Sequence, residues 1–251
     1  MIRLALLILL LTWPARAEEV VAALSQDRVS ISTSFDGSEI LVFGAVKRDA
    51  PAPNDGPLEV IITVSGPSEP VTVRRKDRRF GIWVNVEAVE VDRAPSFYAV
   101  ATSGNLSQTL RQTEDQRHRI SIPRAIRAVD IARMSTQAPE FLRALIRVRE
   151  TEGTYKVAEG AVTLRDETLF SANIALPADL TEGDYDTRIF LTRNGRVIDN
   201  FSTSIFVRKV GLERLIYNLA HEQPLVYGLL SLAIAIAAGW GASAVFRFIR
   251  T

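Results

Sequence analysis

The last apolar stretch of the chain, Leu225 to Ile249, constrains the fold more than any other segment. It reads LVYGLLSLAIAIAAGWGASAVFRFI and carries no charge before Arg247. An α-helix needs roughly 20 apolar residues to cross a bilayer core, and this stretch supplies them. A helix that is apolar all round has no polar face to give to water. The sequence therefore predicts a transmembrane helix over 224–249, a tail of residues 250–251, and a folded region of soluble composition before the span.

The other end of the chain gives that helix a direction. Met1-Ile2-Arg3 precedes an apolar run from Leu4 to Leu11, then Pro14 and Ala15-Arg16-Ala17. A positive start, a short apolar run and an Ala-x-Ala site describe a secretory signal peptide. Residues 1–17 are read as that signal, with the exported chain starting at Glu18. Export of the N-terminus leaves the C-terminus in the cytoplasm, where Arg247 and Arg250 satisfy the positive-inside rule. The expected topology is a single-pass protein of the bacterial inner membrane, with its N-terminal region in the periplasm.

The chain has no cysteine, so an exported domain must rest on its core and not on disulfides. The whole chain carries +1; removing Arg3, Arg16, Arg247 and Arg250 leaves −3 on the exported part. That balance argues against a nucleic-acid partner, which calls for a basic domain.

Between the two apolar ends the dominant period is two. Val29, Ile31, Thr33 and Phe35 alternate with serines, Asp36-Gly37 follows, and Ile40 to Val46 resumes the apolar run; strand, Asp-Gly and strand predict a hairpin. A loop-like segment from Asp49 to Pro57 separates it from Leu58, Val60, Ile62 and Val64, which alternate again. Val71 and Val73 open a short strand, and Arg74 to Arg79 reads as a charged connection, a solvated hairpin turn in preference to a run able to dock an anion or an acidic partner. Phe80 to Val86 and Ser96 to Ala101 are further strands. From Pro139 the period becomes helical, with Phe141, Leu142, Leu145 and Ile146 on one face. The period of two returns after Lys156, and Arg193-Asn194-Gly195-Arg196 predicts a type I′ hairpin turn.

The expected class is mainly β with α. Immunoglobulin-like antiparallel β-sandwich material covers 18–122, a helical segment 123–155 and a second β region 156–208. Whether that second region completes the first or stands alone is open at this stage. Leu212, Leu215, Ile216 and Leu219 then fall at helical spacing, so 209–223 is expected to form an amphipathic juxtamembrane helix on the membrane surface.

The segments Phe97-Tyr-Ala-Val100 and Phe141-Leu-Arg-Ala-Leu-Ile-Arg-Val148, and above all Arg208-Lys-Val-Gly-Leu-Glu-Arg-Leu-Ile-Tyr217 followed by Leu219-Ala220-His221, carry a family resemblance. The chain resembles the uncharacterised transmembrane proteins of alphaproteobacteria. The resemblance implies a signal peptide, an exported region and one C-terminal span, and it implies no catalytic residue.

Chemistry-bearing motifs are few. His118 and His221 are the two histidines, and no zincin, nucleophile-elbow, phosphate-loop or dinucleotide pattern occurs. The expectation is a protein that is not an enzyme and has no cofactor or metal. Inside the span, Ser231, Ala235, Gly239 and Ser243 recur every four residues. Small side chains on one helix stripe let a partner helix approach closely, because packing and not lipid drives association in a bilayer. The expected partners are the lipid bilayer and either a membrane protein or a second copy held through this helix. The expected function is an accessory subunit of a membrane complex such as a transporter, with a periplasmic small-solute binding or sensing module as the alternative.

Overall fold

The computed structural model describes residues 18–31, 36–48, 55–128, 138–209 and 212–249; residues 1–17, where the signal peptide is expected, 250–251 and the segments between these ranges lie outside the described residues. The chain divides into a β-rich unit ending at Val207 and a helical unit from Arg208.

Three sheets account for most of the β-rich unit. Strands β1 (Glu18–Leu24), β3 (Ser38–Arg48), β10 (Leu169–Leu176) and β9 (Thr163–Arg165) form a four-stranded sheet in that order. Strands β2 (Arg28–Ile31), β12 (Arg196–Lys209), β11 (Gly183–Arg193), β4 (Leu58–Ser65), β7 (Tyr98–Thr102) and β8 (Tyr155–Ala158) form a six-stranded one. The long strands β5 (Ser68–Arg79) and β6 (Ile82–Pro95) form a separate two-stranded sheet, with one bridge from Arg93 of β6 to Arg127. The protein is mainly β, as the alternation predicts. Strands after residue 156 lie between strands from the first hundred residues, so the two β-rich stretches build one set of sheets.

The six-stranded sheet is covered on both faces, and the sequence shows why. A strand wet on one side alternates, whereas a strand buried on both sides reads as a continuous apolar run. Leu58, Val60, Ile61, Ile62 and Val64 of β4 are all buried, as is every residue of β7. Ile61 joins Tyr98, Val100 and Phe190 in a cluster with Ile120, Ile122, Ile126, Phe141, Leu145 and Tyr155. Val60, Ile62 and Val64 point the other way by strand periodicity, toward the four-stranded sheet, where β10 meets β7 and β1 meets β11.

The residues of that helical layer come from one crossover. Strands β7 and β8 pair in parallel, which no tight turn can achieve. The connection runs through α1 (Leu106–Thr109), α2 (Gln112–His118), α3 (Ile122–Ala125) and α4 (Ala138–Thr151). The Asp115 carboxylate ties α2 to α3 by accepting from the amides of Ile120 and Ser121 at 3.1 and 2.8 Å and from the Ser121 hydroxyl at 2.7 Å. In α4, Phe141 and Leu145 are buried while Arg143 and Arg147 stay exposed, so the helical period seats its apolar stripe on the sheet.

Two expectations are corrected. The Asp36-Gly37 turn does not close a hairpin: β2 sits beside β12 and β3 beside β1, in different sheets. Turn chemistry reverses a chain but does not decide whether the flanking strands bond to each other. Here Val29 and Ile31 of β2 and Ile40, Val42 and Val46 of β3 are all buried, each set in its own sheet. Arg74 to Arg79, expected as a connection, is the outer half of β5. A strand exposed on both faces needs no apolar alternation, so its period left no trace in the sequence.

Two local devices pin the sheets. Tyr185, near the start of β11, donates from its hydroxyl to the Thr181 carbonyl at 2.9 Å, the tyrosine corner found in β-sandwiches. At the first described residue, Glu18 accepts from Arg193 Nη2 at 2.9 and 3.0 Å and from Arg48 Nε at 2.7 Å, with Glu18 and Arg193 both buried. Burial alone would raise the Glu18 pKa; the hydrogen bonds from Arg48 and Arg193 outweigh it and hold the carboxyl below its ordinary range.

The C-terminal unit holds α5 (Leu212–Glu222) and α6 (Pro224–Ile249). Backbone bonds continue across the junction, from Gln223 N to Leu219 O at 3.2 Å and from Tyr227 N to Gln223 O at 3.0 Å. His221 lies within hydrogen-bond distance of the Tyr217 carbonyl, at 2.9 Å, with its ring stacked on Tyr217. A histidine is well placed there, among the end carbonyls of the helix.

Candidate functional site

The residues expected to act in the membrane lie on the two C-terminal helices. Pro224–Ser243 of α6 is long and apolar enough to cross a membrane, and none of its apolar window is buried. Ser231, Ala235, Gly239 and Ser243 are all on this helix and all exposed. Ser231 Oγ donates to the Gly228 carbonyl at 3.0 Å, a bond within the helix that spends its polarity locally. A Cβ built on Gly228, Gly239 or Gly241 would meet nothing within 4 Å, so this face has no neighbour among the described residues. Leu212, Leu215, Ile216 and Leu219 share α5; Ile216 is exposed and Leu219 half-buried, and the side chains of Leu212 and Leu215 lie outside the described set.

The second candidate is the hairpin that carries the basic run Arg74 to Arg79. The β5–β6 hairpin is a long arm whose two halves behave differently. Its base is clamped: Val89, Val91 and Ala94 of β6 are buried in the helical-layer core, and Val71 and Val73 of β5 pack against it. Its outer half, from Arg74 out to the turn and back to Ala88, contains no buried residue. Six residues of strand reach about 20 Å. The strands turn through Phe80 and Gly81, both left-handed at φ 50° and 85°. Phe80 is 106% exposed, Ile82 64% and Trp83 69%.

Charge surrounds this tip. Arg74, Arg75, Lys76, Arg78 and Arg79 share the outer half of β5 with a single acid, Asp77. Arg75 pairs with Glu87 across the arm at 3.0 Å, and Arg79 lies 3.9 Å from Asp77. Where the arm meets α4, a cleft of about 550 Å³ is lined by Val73, Arg74, Arg75, Lys76, Arg143 and Arg147, with Glu140 and Phe141 among its walls. Such a cleft attracts anions, since like charges brought together raise the local potential. The apolar run Phe80 to Val84, directly after the basic run, was the signal available for the tip; the Arg143 and Arg147 half of the cleft comes from a distant segment and left none.

His118 sits at the end of α2 against the sheet. His118 Nε2 lies 3.5 Å from Glu114 Oε2 and its ring stands edge-on to Phe190. Arg188 lies over Phe190 and donates to the carbonyls of His118 and Arg119 at 2.8 and 3.1 Å, which closes the end of α2. Among the described residues, no group of three or more His, Asp or Glu is placed to hold a metal ion.

A β-rich unit followed by an exposed apolar helix defines the class, a β-sheet protein with one candidate membrane span among the described residues. Residues 19–248 match the model of the family described as "Putative transmembrane protein", and the chain belongs to that family. No curated protein matches it. Among solved structures, it is similar to the sporulation control protein Spo0M of Bacillus subtilis at 11% identity and a TM-score of 0.30, covering 81% of this chain and 54% of that one. It is also similar to dimeric latent PorU of Porphyromonas gingivalis at 9% identity and a TM-score of 0.27, covering 78% of this chain and 13% of that one. The chain thus spans about half of the first and about an eighth of the second.

Proposed function

We propose that this chain is an accessory subunit of a complex in the bacterial inner membrane, such as a transporter. Its β-rich unit lies in the periplasm and its C-terminus in the cytoplasm. The observation that carries the reading is the bare helix Pro224–Ser243, with Ser231, Ala235, Gly239 and Ser243 exposed along it. A bilayer covers the apolar side chains, and a second helix packs on the small ones. Ile216 and Leu219 of α5, with Leu212 and Leu215, then rest at the periplasmic surface of the inner membrane. Pull-down of the full chain from mild detergent recovers a membrane-protein partner or a second copy. Gly239→Leu weakens that recovery, because its bulk holds the helices apart. A chain that comes down alone, at every detergent and protein concentration tried, sinks the reading.

The basic cleft supports a second reading, a periplasmic module that binds a small anionic solute. Its volume of about 550 Å³ falls among those of ligand pockets. A ligand that binds only the folded state must raise the melting temperature. Inorganic phosphate, sulfate and small dicarboxylates are the probes for the full chain in detergent. Arg143→Ala with Arg147→Ala abolishes any shift if the cleft is the site.

A further inference from the structure

The arm presents an arrangement with no purpose inside the molecule. A bulky aromatic at positive φ is an outlier, and hairpin turns of this kind use Asn or Asp at that position. Phe80 holds φ 50° while fully exposed, so no contact within the β-rich unit compensates the strain. Strain without an internal compensation is the usual mark of a segment shaped for something outside. Ile82 and Trp83 extend the same apolar tip, and Arg78 and Arg79 stand directly across from Trp83 and Ile82 in the strand register.

We propose that the Phe80, Ile82 and Trp83 tip seats in the surface of an anionic bilayer, with Lys76, Arg78 and Arg79 at the headgroups. Three side chains cannot supply the roughly 800 Å² per partner that a stable protein interface needs. They suit a lipid surface, where aromatic residues favour the interfacial zone and neighbouring Lys and Arg meet anionic headgroups. The attraction fades beyond about 8 Å at physiological salt, so the residues nearest the tip decide it. Arg74 and Arg75, further down the strand, add to the positive field behind it. The inference rests on the reading that α6 crosses the membrane, for a chain with its own span holds its arm near a bilayer at high effective concentration.

The chain has three tryptophans, Trp13, Trp83 and Trp240, and two paired substitutions isolate the ones that matter. Trp13→Phe with Trp240→Phe leaves Trp83 in the arm; Trp13→Phe with Trp83→Phe leaves Trp240 in α6. Both full chains are placed in nanodiscs whose lipids carry brominated acyl chains, either phosphatidylcholine alone or with about a third phosphatidylglycerol. Trp240 is quenched in both lipids, which establishes the span independently. Trp83 is quenched in the anionic discs and loses about twofold in intensity relative to neutral ones, as expected for an interfacial side chain. Arg78→Glu with Arg79→Glu restores its emission. Phe80→Asn, which suits the turn and so keeps the arm folded, reduces the quenching as well.

Trp83 open to aqueous acrylamide in anionic discs, with Trp240 quenched, overturns the proposal and leaves the span intact. Trp83 shielded from acrylamide yet unquenched by lipid overturns it in favour of a protein contact. Quenching that is equal in neutral lipid and indifferent to charge reversal overturns the anionic part. An unquenched Trp240 removes the span, and the proposal falls with it.

Discussion

The β11–β12 hairpin turns through Asn194 and Gly195 at φ 52° and 74°; the β5–β6 hairpin turns through Phe80 and Gly81 at φ 50° and 85°. The backbone turn is the same, and everything around it differs. Arg193, just before the first turn, is buried and makes two hydrogen bonds to Glu18. Asn194 donates to the Asp55 carbonyl, and a Cβ on Gly195 would lie 2.7 Å from Arg111. Arg79, just before the second turn, is exposed and lies 3.9 Å from the Asp77 carboxylate, and a Cβ on Gly81 would meet nothing within 4 Å. One hairpin is specified by the surrounding protein. The other is specified by its own cross-strand pairs, which leaves its tip free for an external surface.

Arginine substitutions just before each turn break the comparison most sharply. Arg193→Met leaves Glu18 buried with Arg48 alone, and removing one partner of a buried ion pair costs about 3–5 kcal/mol. Arg79→Met removes an exposed contact, and such pairs are worth about 0–1 kcal/mol. Urea denaturation of the full chain in detergent, followed by far-ultraviolet dichroism, measures both. Equal effects would show that burial is not what separates the two hairpins.

Titration adds the next contrast, because the braced part of the molecule responds to pH at both ends. Glu18 has a folded-state pKa below its ordinary 4.5. Its contribution is present above that value and is lost as pH falls through the lower folded value. Burial pushes Tyr155 up to about 12, and its hydroxyl donates to the Pro95 carbonyl at 2.8 Å. Its contribution is whole below pH 10 and is lost as pH rises from there through about 12. Denaturation midpoints across pH, with tyrosinate absorbance at the alkaline end, follow both groups. Arg193→Met flattens the acid limb and leaves the alkaline limb unchanged.

The two hairpins also show what a sequence reveals. Asn194-Gly195 between alternating runs announces its turn, because Asn and Gly are the residues that tolerate positive φ. Phe80-Gly81 hides, because Phe is a poor residue for the position and charge on both faces of β5 erases the period of two. The apolar runs of β4, β10 and α6 were legible because burial writes itself into composition. The pairing of β2 with β12, the parallel β7–β8 pair and the buried Glu18–Arg193 bond were not. Each depends on partners far apart in the chain, and no local pattern marks them. The same applies to the cleft, whose two basic walls come from β5 and α4.

The smallest effects lie at the turns themselves, and their signs are opposite. Asn194→Ala loses the bond to Asp55 and puts Cβ strain at positive φ, for a destabilisation of about 1–2 kcal/mol. Phe80→Asn relieves strain at a position where nothing else holds the side chain, for a gain of about 0.5–1 kcal/mol. Hydrogen exchange of the Arg78 to Val84 amides reads the second change locally, where global denaturation would dilute it. Slower exchange in Phe80→Asn means that the native Phe80 is kept at the expense of stability, as a residue shaped for an outside surface must be. Faster exchange would mean that the aromatic ring stabilises the arm from within, and the difference between the two hairpins would then be one of degree.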